Sequence, residues 1–185
     1  ESLLQEARAA GTITPKLKQK VTDTIFGAIA QNARILLCTC STISGCAEEI
    51  GRQTTTPILR VDRPMAERAV RLGSRILLAA TTASTLAPTR ALIFDAAQHV
   101  DKTVQVIDVL CESAWTKFER GDQEGYLQEI ANQLRHVASS GDVIVLAQAS
   151  MAQAAMLCLD LSIPILSSPR LGLEEAIRVY RSTSA

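Results

Sequence analysis

The side chains of this sequence that could do chemistry gather at a turn that begins with Cys40. An apolar run ends there, and Ser41 and Thr42 follow before a helical pattern starts. Such a run predicts a buried parallel strand, a tight turn and a helix N-terminus. A helix N-terminus favours a thiolate, and its free amides and neighbouring hydroxyls suit a carboxylate. The turn therefore combines a nucleophile or base with an anion-binding cradle, although a structural cysteine before an ordinary helix cap has the same pattern.

Two more apolar runs end in small polar residues, and both are predicted to be buried strands. Ligands of open α/β sheets bind outside the carboxyl ends of the strands, so these residues are candidates for the same site as the Cys40 turn. The turn residues are Thr81, Thr82 and Ser84 after residues 75–80, and Gln148, Ala149 and Ser150 shortly after residues 143–146.

The composition and the order of the predicted elements indicate an α/β protein. Hydrophobic residues make up 47% of the 185-residue chain and aromatic residues only 3%, which is typical of aliphatic parallel strands. Predicted strands alternate with helices, so the sheets should be parallel and their connections right-handed.

Charge and cysteine usage exclude several classes of protein. Lys and Arg total 19, as do Asp and Glu, and no basic stripe points to nucleic acid. No apolar run approaches the ~20 residues of a membrane span, and no signal peptide is visible. Five cysteines at irregular spacing do not form a disulfide framework, which predicts a protein of the reducing cytoplasm. Their spacing matches no common zinc pattern, so no metal site is expected.

The chain repeats one α/β unit with an offset of about 107 residues. Pro-Ile-Leu at 57–59 recurs at 164–166, and the helical pattern after each copy shares three further identities at the same offset. At an offset of 108, residues 40–42 lie over residues 148–150. Chance similarity between two generic strand-helix units is the alternative, but the order of the matches favours a true repeat.

The repeat predicts two pseudo-symmetric lobes, each a parallel sheet flanked by helices, with the active site in the cleft between them. Residues 1–70 with 168–185 are predicted to form the first lobe, and residues 71–167 the second. The first-lobe partner of the strand at 75–80 would precede Glu1, so lobe one is expected to lack its first strand. Both polar turns then lie at strand carboxyl ends that face one cleft.

Three motifs make the chain resemble the aspartate/glutamate/hydantoin racemase superfamily, which includes maleate isomerase and arylmalonate decarboxylase. The resemblance runs from Glu1 to about Tyr180 and depends on the order and spacing of the motifs. It implies a cofactor-independent enzyme in which two cysteines face each other across the cleft. One cysteine removes the proton α to a carboxylate, and the other returns it. The motifs are Thr-Cys-Ser-Thr at 39–42, Ala-Thr-Thr-Ala-Ser at 80–84 and Val-Ile-Val-Leu-Ala-Gln-Ala-Ser-Met at 143–151.

By this resemblance Cys40 takes the first cysteine position, and Gln148 stands where the second cysteine is expected. Ala80 replaces a loop glycine, which is a milder departure. A side-chain amide can donate or accept a hydrogen bond but does not titrate usefully, so two-base inversion does not follow from this sequence. The positions that the resemblance assigns to substrate binding are Ser41, Thr42, Thr81, Thr82, Ser84, Ala149 and Ser150.

The predicted function is proton transfer on a carbon α to a carboxylate, with Cys40 as the base and a small carboxylate as the substrate. One alternative is stereospecific decarboxylation of a malonate-type acid by the single cysteine. Another is a protein that binds a small carboxylate without chemistry. The sequence leaves homo-oligomerisation open. Outside the motifs, Trp115 and Phe118 are predicted to form an inward-packing helix face, and residues 62–64 a helix start or an active-site loop.

Overall fold

The computed structural model describes residue 3, residue 6 and residues 13–183. The sequence predicts a short helix over residues 1–10, and most of it lies outside the described residues. Strands and helices follow one another in mostly alternating order. The helices are α1 (Pro15–Ala30), α2 (Ser41–Gly51), α3 (Arg63–Leu72), α4 (Ala83–Gln98), α5 (Glu112–Glu119), α6 (Gln123–Val137) and α7 (Ser168–Ser182). The strands are β1 (Leu36–Cys38), β2 (Ile58–Arg60), β3 (Arg75–Ala80), β4 (Gln105–Leu110), β5 (Val143–Leu146) and β6 (Ile165–Ser167). Two 3-10 segments cover Ala138–Ser140 and Ala149–Leu157.

The strands form two parallel sheets. One contains β1 and β2, and the other contains four strands in the order β4-β3-β5-β6. Leu36 lies opposite Ile58 in the first sheet, and Ile76 lies opposite Val143 in the second. The central strands β3 and β5 are aliphatic and, apart from the first residue of β3, buried, because helices cover both faces. The predicted α/β class with parallel sheets is confirmed, and the two sheets fit two lobes.

The repeat relates equivalent elements of the two sheets. β1 and β2 pair as β5 and β6 do, and each pair is followed by a helix, α3 or α7. Within residues 13–183, the first sheet has no counterpart of β3, in line with the strand that the sequence predicts to be missing. Among the residues that the structure describes, it also has no counterpart of β4.

The four-stranded sheet separates two hydrophobic cores. Side chains alternate across β3, so Ile76 and Leu78 face the core that is shared with α3 and α4. Leu77 and Ala79 face the opposite core, which is shared with α6. A third core lies between α1, α2 and the two-stranded sheet. The buried face of α3 thus belongs to the core of the four-stranded sheet, and the lobe boundaries stay predictions.

A cluster of charged side chains joins α2, α3 and α4. Arg60 donates from Nε and Nη2 to the two carboxylate oxygens of Asp62, at 2.9 and 3.1 Å, and both side chains are buried. Arg63 donates to Glu48 of α2 at 2.5 Å and to Asp95 of α4 at 2.8 Å. Burial alone would raise the pKa of the Glu48 carboxyl, but the adjacent Arg63 and Arg60 guanidinium groups lower it, so Glu48 is ionised at neutral pH. The cluster ties α2, which begins at the Cys40 turn, to α4.

The last helix packs against α3, its counterpart in the repeat. Gly172 permits this close approach, since a Cβ atom there would lie 2.4 Å from the carbonyl oxygen of Val61. Any larger residue at this position would push α7 away from the end of β2.

The described part of the chain offers no membrane-spanning helix. None of its helices has both the length and the apolar character needed to cross a bilayer.

Candidate active site

Cys40 lies between β1 and α2, at the residue that starts the helix. Its backbone is extended, with φ −105° and ψ 109°, and its thiol makes no capping hydrogen bond. The Cys40 carbonyl oxygen accepts hydrogen bonds from the Ser44 amide at 3.0 Å and the Ser44 hydroxyl at 2.7 Å. The first amides of a helix have no acceptor within it, so those of Ser41 and Thr42 can serve a ligand. The half-buried thiol therefore lies beside a helix end suited to an anion.

Gln148 occupies the equivalent turn after β5, where it starts the Ala149–Leu157 segment. Its side-chain oxygen Oε1 accepts hydrogen bonds from the Thr81 amide at 2.6 Å and from the Thr81 hydroxyl at 2.9 Å. Because the Thr81 amide can only donate, it requires the oxygen of the Gln148 amide on that side. The Nε2 group is then the part of Gln148 that remains to donate to a ligand.

The two turns meet around a cavity of about 290 Å³. The Ser41 hydroxyl donates a hydrogen bond to the Ala147 carbonyl oxygen at 3.1 Å, which links the Cys40 turn directly to the Gln148 turn. No charged side chain of residues 13–183 lines this cavity, and within the described chain no group of three His, Cys, Asp or Glu residues could hold a metal ion. The lining residues are Thr39, Cys40, Ser41, Thr42, Thr85, Trp115, Phe118, Gln148, Ala149 and Ser150.

The cavity brings together most of the site residues that the sequence predicts. Three others lie at the start of α4 and do not line it. Thr81 is buried beside Gln148, the Thr82 hydroxyl oxygen is buried without a hydrogen-bond partner in the described structure, and Ser84 is half-buried. The roles of all these residues stay predictions. The predicted residues that line the cavity are Cys40, Ser41, Thr42, Gln148, Ala149 and Ser150.

Four of the lining residues are not assigned to the site from the sequence: Thr39, Thr85, Trp115 and Phe118. The sequence predicts that the last two pack inward. The rings of Trp115 and Phe118 stack, with centroids 4.9 Å apart and planes at 22°. Both belong to α5, and they line the cavity rather than fill a core, since Phe118 is 37% exposed. The signal that could have located them is the position of α5 directly after β4, because strand carboxyl ends mark the ligand-binding edge.

Tyr126 contacts the Gln148 turn through a hydrogen bond with Ser150. Its hydroxyl shares a hydrogen bond of 2.8 Å with the Ser150 hydroxyl, and its buried ring lies 5.1 Å from that of Phe118. Burial raises the pKa of the Tyr126 hydroxyl, although hydrogen bonds with Ser150 and Thr81 act to lower it. The hydroxyl is therefore neutral at pH 7, and neutral hydrogen bonds hold this side of the cavity.

The other described cysteines differ from Cys40 in their surroundings, because none of them lines the cavity. Burial raises the pKa of the Cys111 thiol to about 11, and this side chain is 1% exposed. Burial also raises the pKa of Cys38, Cys46 and Cys158. These four thiols are held in the protonated form at neutral pH.

We expect iodoacetamide at pH 8 to alkylate Cys40 at least ~10-fold faster than Cys111 in the folded protein. The thiolate is the reacting species, and a thiol with a pKa of about 11 is only about 0.1% ionised at that pH. Peptide mass spectrometry over a time course gives both rates, with Cys158 as an internal comparison. Equal labelling of Cys40 and Cys111 would show that the Cys40 thiol is not accessible from the cavity.

The fold of this chain is similar to the folds of solved Asp/Glu racemases and of arylmalonate decarboxylase. The glutamate racemase of Francisella tularensis, solved with D-glutamate, matches with a TM-score of 0.70 at 16% identity, covering 94% of this chain and 67% of that one. A putative Asp/Glu racemase of Yersinia pestis matches with a TM-score of 0.70 at 13% identity, covering 97% and 80%.

The likeness extends to an enzyme of a different activity. Unliganded arylmalonate decarboxylase matches with a TM-score of 0.59 at 16% identity, covering 89% of this chain and 76% of that one. No protein-family model and no curated protein sequence matches the chain. The resemblance first seen in the three motifs is therefore confirmed at the level of the fold.

Proposed function

We propose that this chain is a cofactor-independent enzyme of the Asp/Glu racemase superfamily that makes or protonates a carbanion α to a carboxylate. The observation that carries the proposal is that Cys40 and Gln148, from equivalent turns of the repeat, line one cavity. The racemases and the decarboxylase that have the same fold support this class of reaction. One of those racemases is solved with D-glutamate, which supports a small carboxylate as the substrate.

Cys40 is assigned the role of the base. Its thiolate takes the proton from the α carbon, the electron pair stays on the substrate, and the resulting thiol returns a proton to the same carbon. Because a carbon acid beside a carboxylate is very weak, several aimed donors must hold the developing charge. The proposed donors are the first amides of α2 and the hydroxyl of Thr42, which lines the cavity.

Gln148 is assigned the role of a neutral hydrogen-bond donor on the side of the substrate opposite Cys40. Its oxygen accepts from Thr81, so its Nε2 group is the part left to donate a hydrogen bond to a ligand, and it cannot deliver or remove a proton in catalysis. Only the Cys40 side can then exchange a proton with the substrate carbon. A planar carbanion formed here is protonated from one side and gives a single enantiomer.

The same one-sided arrangement supports a second candidate, the stereospecific decarboxylation of a malonate-type acid. In that reaction the bond to the leaving carboxylate breaks, CO₂ departs, the electron pair stays on the carbon, and the Cys40 thiol supplies the proton. Water then reprotonates the thiolate. A third candidate is a protein that binds a small carboxylate and does no chemistry, because the second base is replaced by Gln148.

Proton NMR in D₂O separates these candidates. Aspartate, glutamate and 2-phenylpropionate are followed for loss of the α-proton signal together with optical rotation. The prochiral acid 2-methyl-2-phenylmalonate is followed for release of CO₂ and for the handedness of its product, 2-phenylpropionate. We expect α-proton exchange with retained optical rotation, or one enantiomer of the decarboxylated acid, and little racemisation. Fast loss of optical rotation would show that another group acts as a second base. If the acid binds but neither α-proton exchange nor CO₂ release is detected, the protein is a binding protein without this chemistry.

Replacement of Gln148 by cysteine is expected to raise racemisation relative to exchange by ~10-fold or more, because a positioned acid-base group contributes roughly 10²–10⁴-fold to proton transfer. The matched control is Gln148→Ser, which removes the same hydrogen bond to Thr81 but adds no group that titrates near neutral pH. The measurement is the ratio of the rate of loss of optical rotation to the rate of deuterium incorporation. An equal ratio in the two variants would contradict the one-sided account.

A further inference from the structure

Three of the five cysteines, Cys38, Cys40 and Cys46, lie on the segment that forms β1, the Cys40 turn and α2. All three pack against the core between α1, α2 and the two-stranded sheet, and all three are free thiols. Peroxides oxidise accessible thiolates, and a second thiol beside such a residue converts the product into a disulfide. The segment therefore combines an oxidisable cysteine with candidate partners for it.

Cys40 is the member of this group that a small oxidant can reach. Its side chain is half-buried and lines the cavity of about 290 Å³, whereas Cys38 and Cys46 do not line that cavity. Cys40 directly precedes the first turn of α2, and a helix N-terminus favours the thiolate form that reacts with peroxides. The cavity thus leads a peroxide to Cys40 before either of the other two thiols.

Cys38 lies two residues before Cys40 and contacts the same turn. The backbone is extended at Cys40, so the two side chains share one face of the chain. The Cys38 sulfur lies 3.8 Å from the Cys40 carbonyl oxygen and 3.5 Å from the Ser44 hydroxyl. Two residues of extended chain separate the Cα atoms by roughly 6–7 Å, and a disulfide spans Cα atoms about 4.4–6.8 Å apart. A bridge between Cys38 and Cys40 is therefore within reach, at the long end of this range.

Cys46 is the alternative partner, and its position on α2 is less suitable. Ser44, which contacts Cys38, and Cys46 are two residues apart, and residues at this spacing do not share a helix face. Burial raises the pKa of the Cys46 thiol and the charge of Lys18 lowers it, so Cys46 faces α1. A charge on Cys38 also acts on Cys46, so the experiment must distinguish the two partners.

The two thiols at the turn differ in their surroundings, and this difference gives them separate roles. Burial raises the pKa of the Cys38 thiol, although the Ser44 hydroxyl acts to lower it. Cys38 is therefore protonated at neutral pH and lies outside the cavity, so it is not the thiol that meets the oxidant first. Its place beside the Cys40 carbonyl suits the second step, in which a thiol attacks an oxidised sulfur.

We propose that Cys38 and Cys40 form a modification site that hydrogen peroxide oxidises reversibly to a disulfide. The Cys40 thiolate attacks one peroxide oxygen, the O–O bond breaks and hydroxide leaves, which gives a sulfenic acid at Cys40. The Cys38 sulfur then attacks the Cys40 sulfur, its proton goes to the departing oxygen, and water leaves. The two thiols are oxidised and peroxide is reduced. The inference rests on the proposed function for one point, that loss of the Cys40 thiolate stops the reaction.

Mass spectrometry of the tryptic peptide 35–52 tests this disulfide directly, because the peptide contains Cys38, Cys40 and Cys46 and no internal Lys or Arg. The full chain is treated with hydrogen peroxide, and free thiols are then alkylated with iodoacetamide. We expect a peptide that has lost two hydrogen atoms and carries one alkyl group, on Cys46. Dithiothreitol should restore alkylation of all three cysteines, because a bridge near the limit of disulfide geometry is readily reduced.

The variants Cys38→Ala and Cys46→Ala identify the partner thiol. Without Cys38 we expect the yield of disulfide to fall at least ~10-fold, and dimedone, which traps sulfenic acids, to label Cys40 instead. Cys46→Ala is the matched control and should form the disulfide as the unmodified protein does. Circular dichroism checks that both variants fold. A disulfide that persists in Cys38→Ala or disappears in Cys46→Ala would overturn the assignment, as would a sulfinic acid at Cys40 without any disulfide in the unmodified protein.

Activity measurements separate this inference from the proposed function. If Cys40 is the base, peroxide should abolish α-proton exchange or decarboxylation in step with disulfide formation, and dithiothreitol should restore it. Full activity of the oxidised, disulfide-containing protein would support the modification site and refute Cys40 as the base. A protein that forms the disulfide but shows neither reaction before oxidation would support the site and refute the enzyme. Absence of the disulfide in an active protein would overturn the inference and leave the proposed function in place.

Discussion

Replacement of Cys40 by alanine is expected to lower the rate of α-proton exchange or decarboxylation by roughly 10²–10⁴-fold, the usual contribution of a positioned acid-base group. Cys40 is the proposed base among the described residues that line the cavity. The fold should survive, because the half-buried thiol makes no capping hydrogen bond to α2. The rates are measured by proton NMR in D₂O, and folding is checked by circular dichroism.

Two further variants sharpen this test. Cys40→Ser should be nearly as inactive as Cys40→Ala, because a hydroxyl is a far weaker acid than a thiol. Cys46→Ala is the matched control, since Cys46 is a half-buried thiol on the same helix that lies outside the cavity. Full activity in folded Cys40→Ala would remove the base from the proposed mechanism.

Replacement of Asp62 by alanine is expected to lower the free energy of unfolding by roughly 3–5 kcal/mol, the usual cost of leaving one partner of a buried ion pair alone. Asp62 is 0% exposed and Arg60 is 7% exposed, and their two hydrogen bonds, at 2.9 and 3.1 Å, are what satisfy the carboxylate. Without Asp62, the contact that the described residues leave to the buried Arg60 guanidinium is the longer one with Glu48, at 3.5 Å. The free energy is measured by urea unfolding followed by circular dichroism.

Asp160→Ala provides the matched control for this prediction. Asp160 forms a two-point pair with Arg135 at 2.9 and 3.1 Å, the same geometry as the Asp62 pair, but on the surface. Its loss should change the free energy of unfolding little, because water screens an exposed pair. A double variant, Arg60→Met with Asp62→Leu, should recover part of the stability, because no unpaired charge remains. Equal effects of Asp62→Ala and Asp160→Ala would contradict the role assigned to burial.

Parts of the fold and of the candidate site that depend on local sequence could be predicted without the structure. A buried strand followed by a turn is encoded by adjacent residues, an aliphatic run that ends in small polar residues. The turns at Cys40 and Gln148 and the parallel α/β class therefore follow from the pattern. The repeat adds one long-range relation, because equivalent units place equivalent turns in equivalent positions. That relation is why Cys40 and Gln148 could be expected on one cavity before any coordinates.

Other features of the site depend on which surfaces meet, and only the tertiary structure decided them. The spacing of Trp115 and Phe118 shows that they share a face of α5, but helical periodicity does not say whether that face meets a core or a cavity. Thr81 follows its strand as Gln148 does, yet it lies behind Gln148 because β3 and β5 are adjacent in the sheet. The hydrogen bond between Ser41 and Ala147 likewise joins residues 106 positions apart. Sequence determines which groups each turn carries, whereas packing of the sheets determines which of those groups face one another.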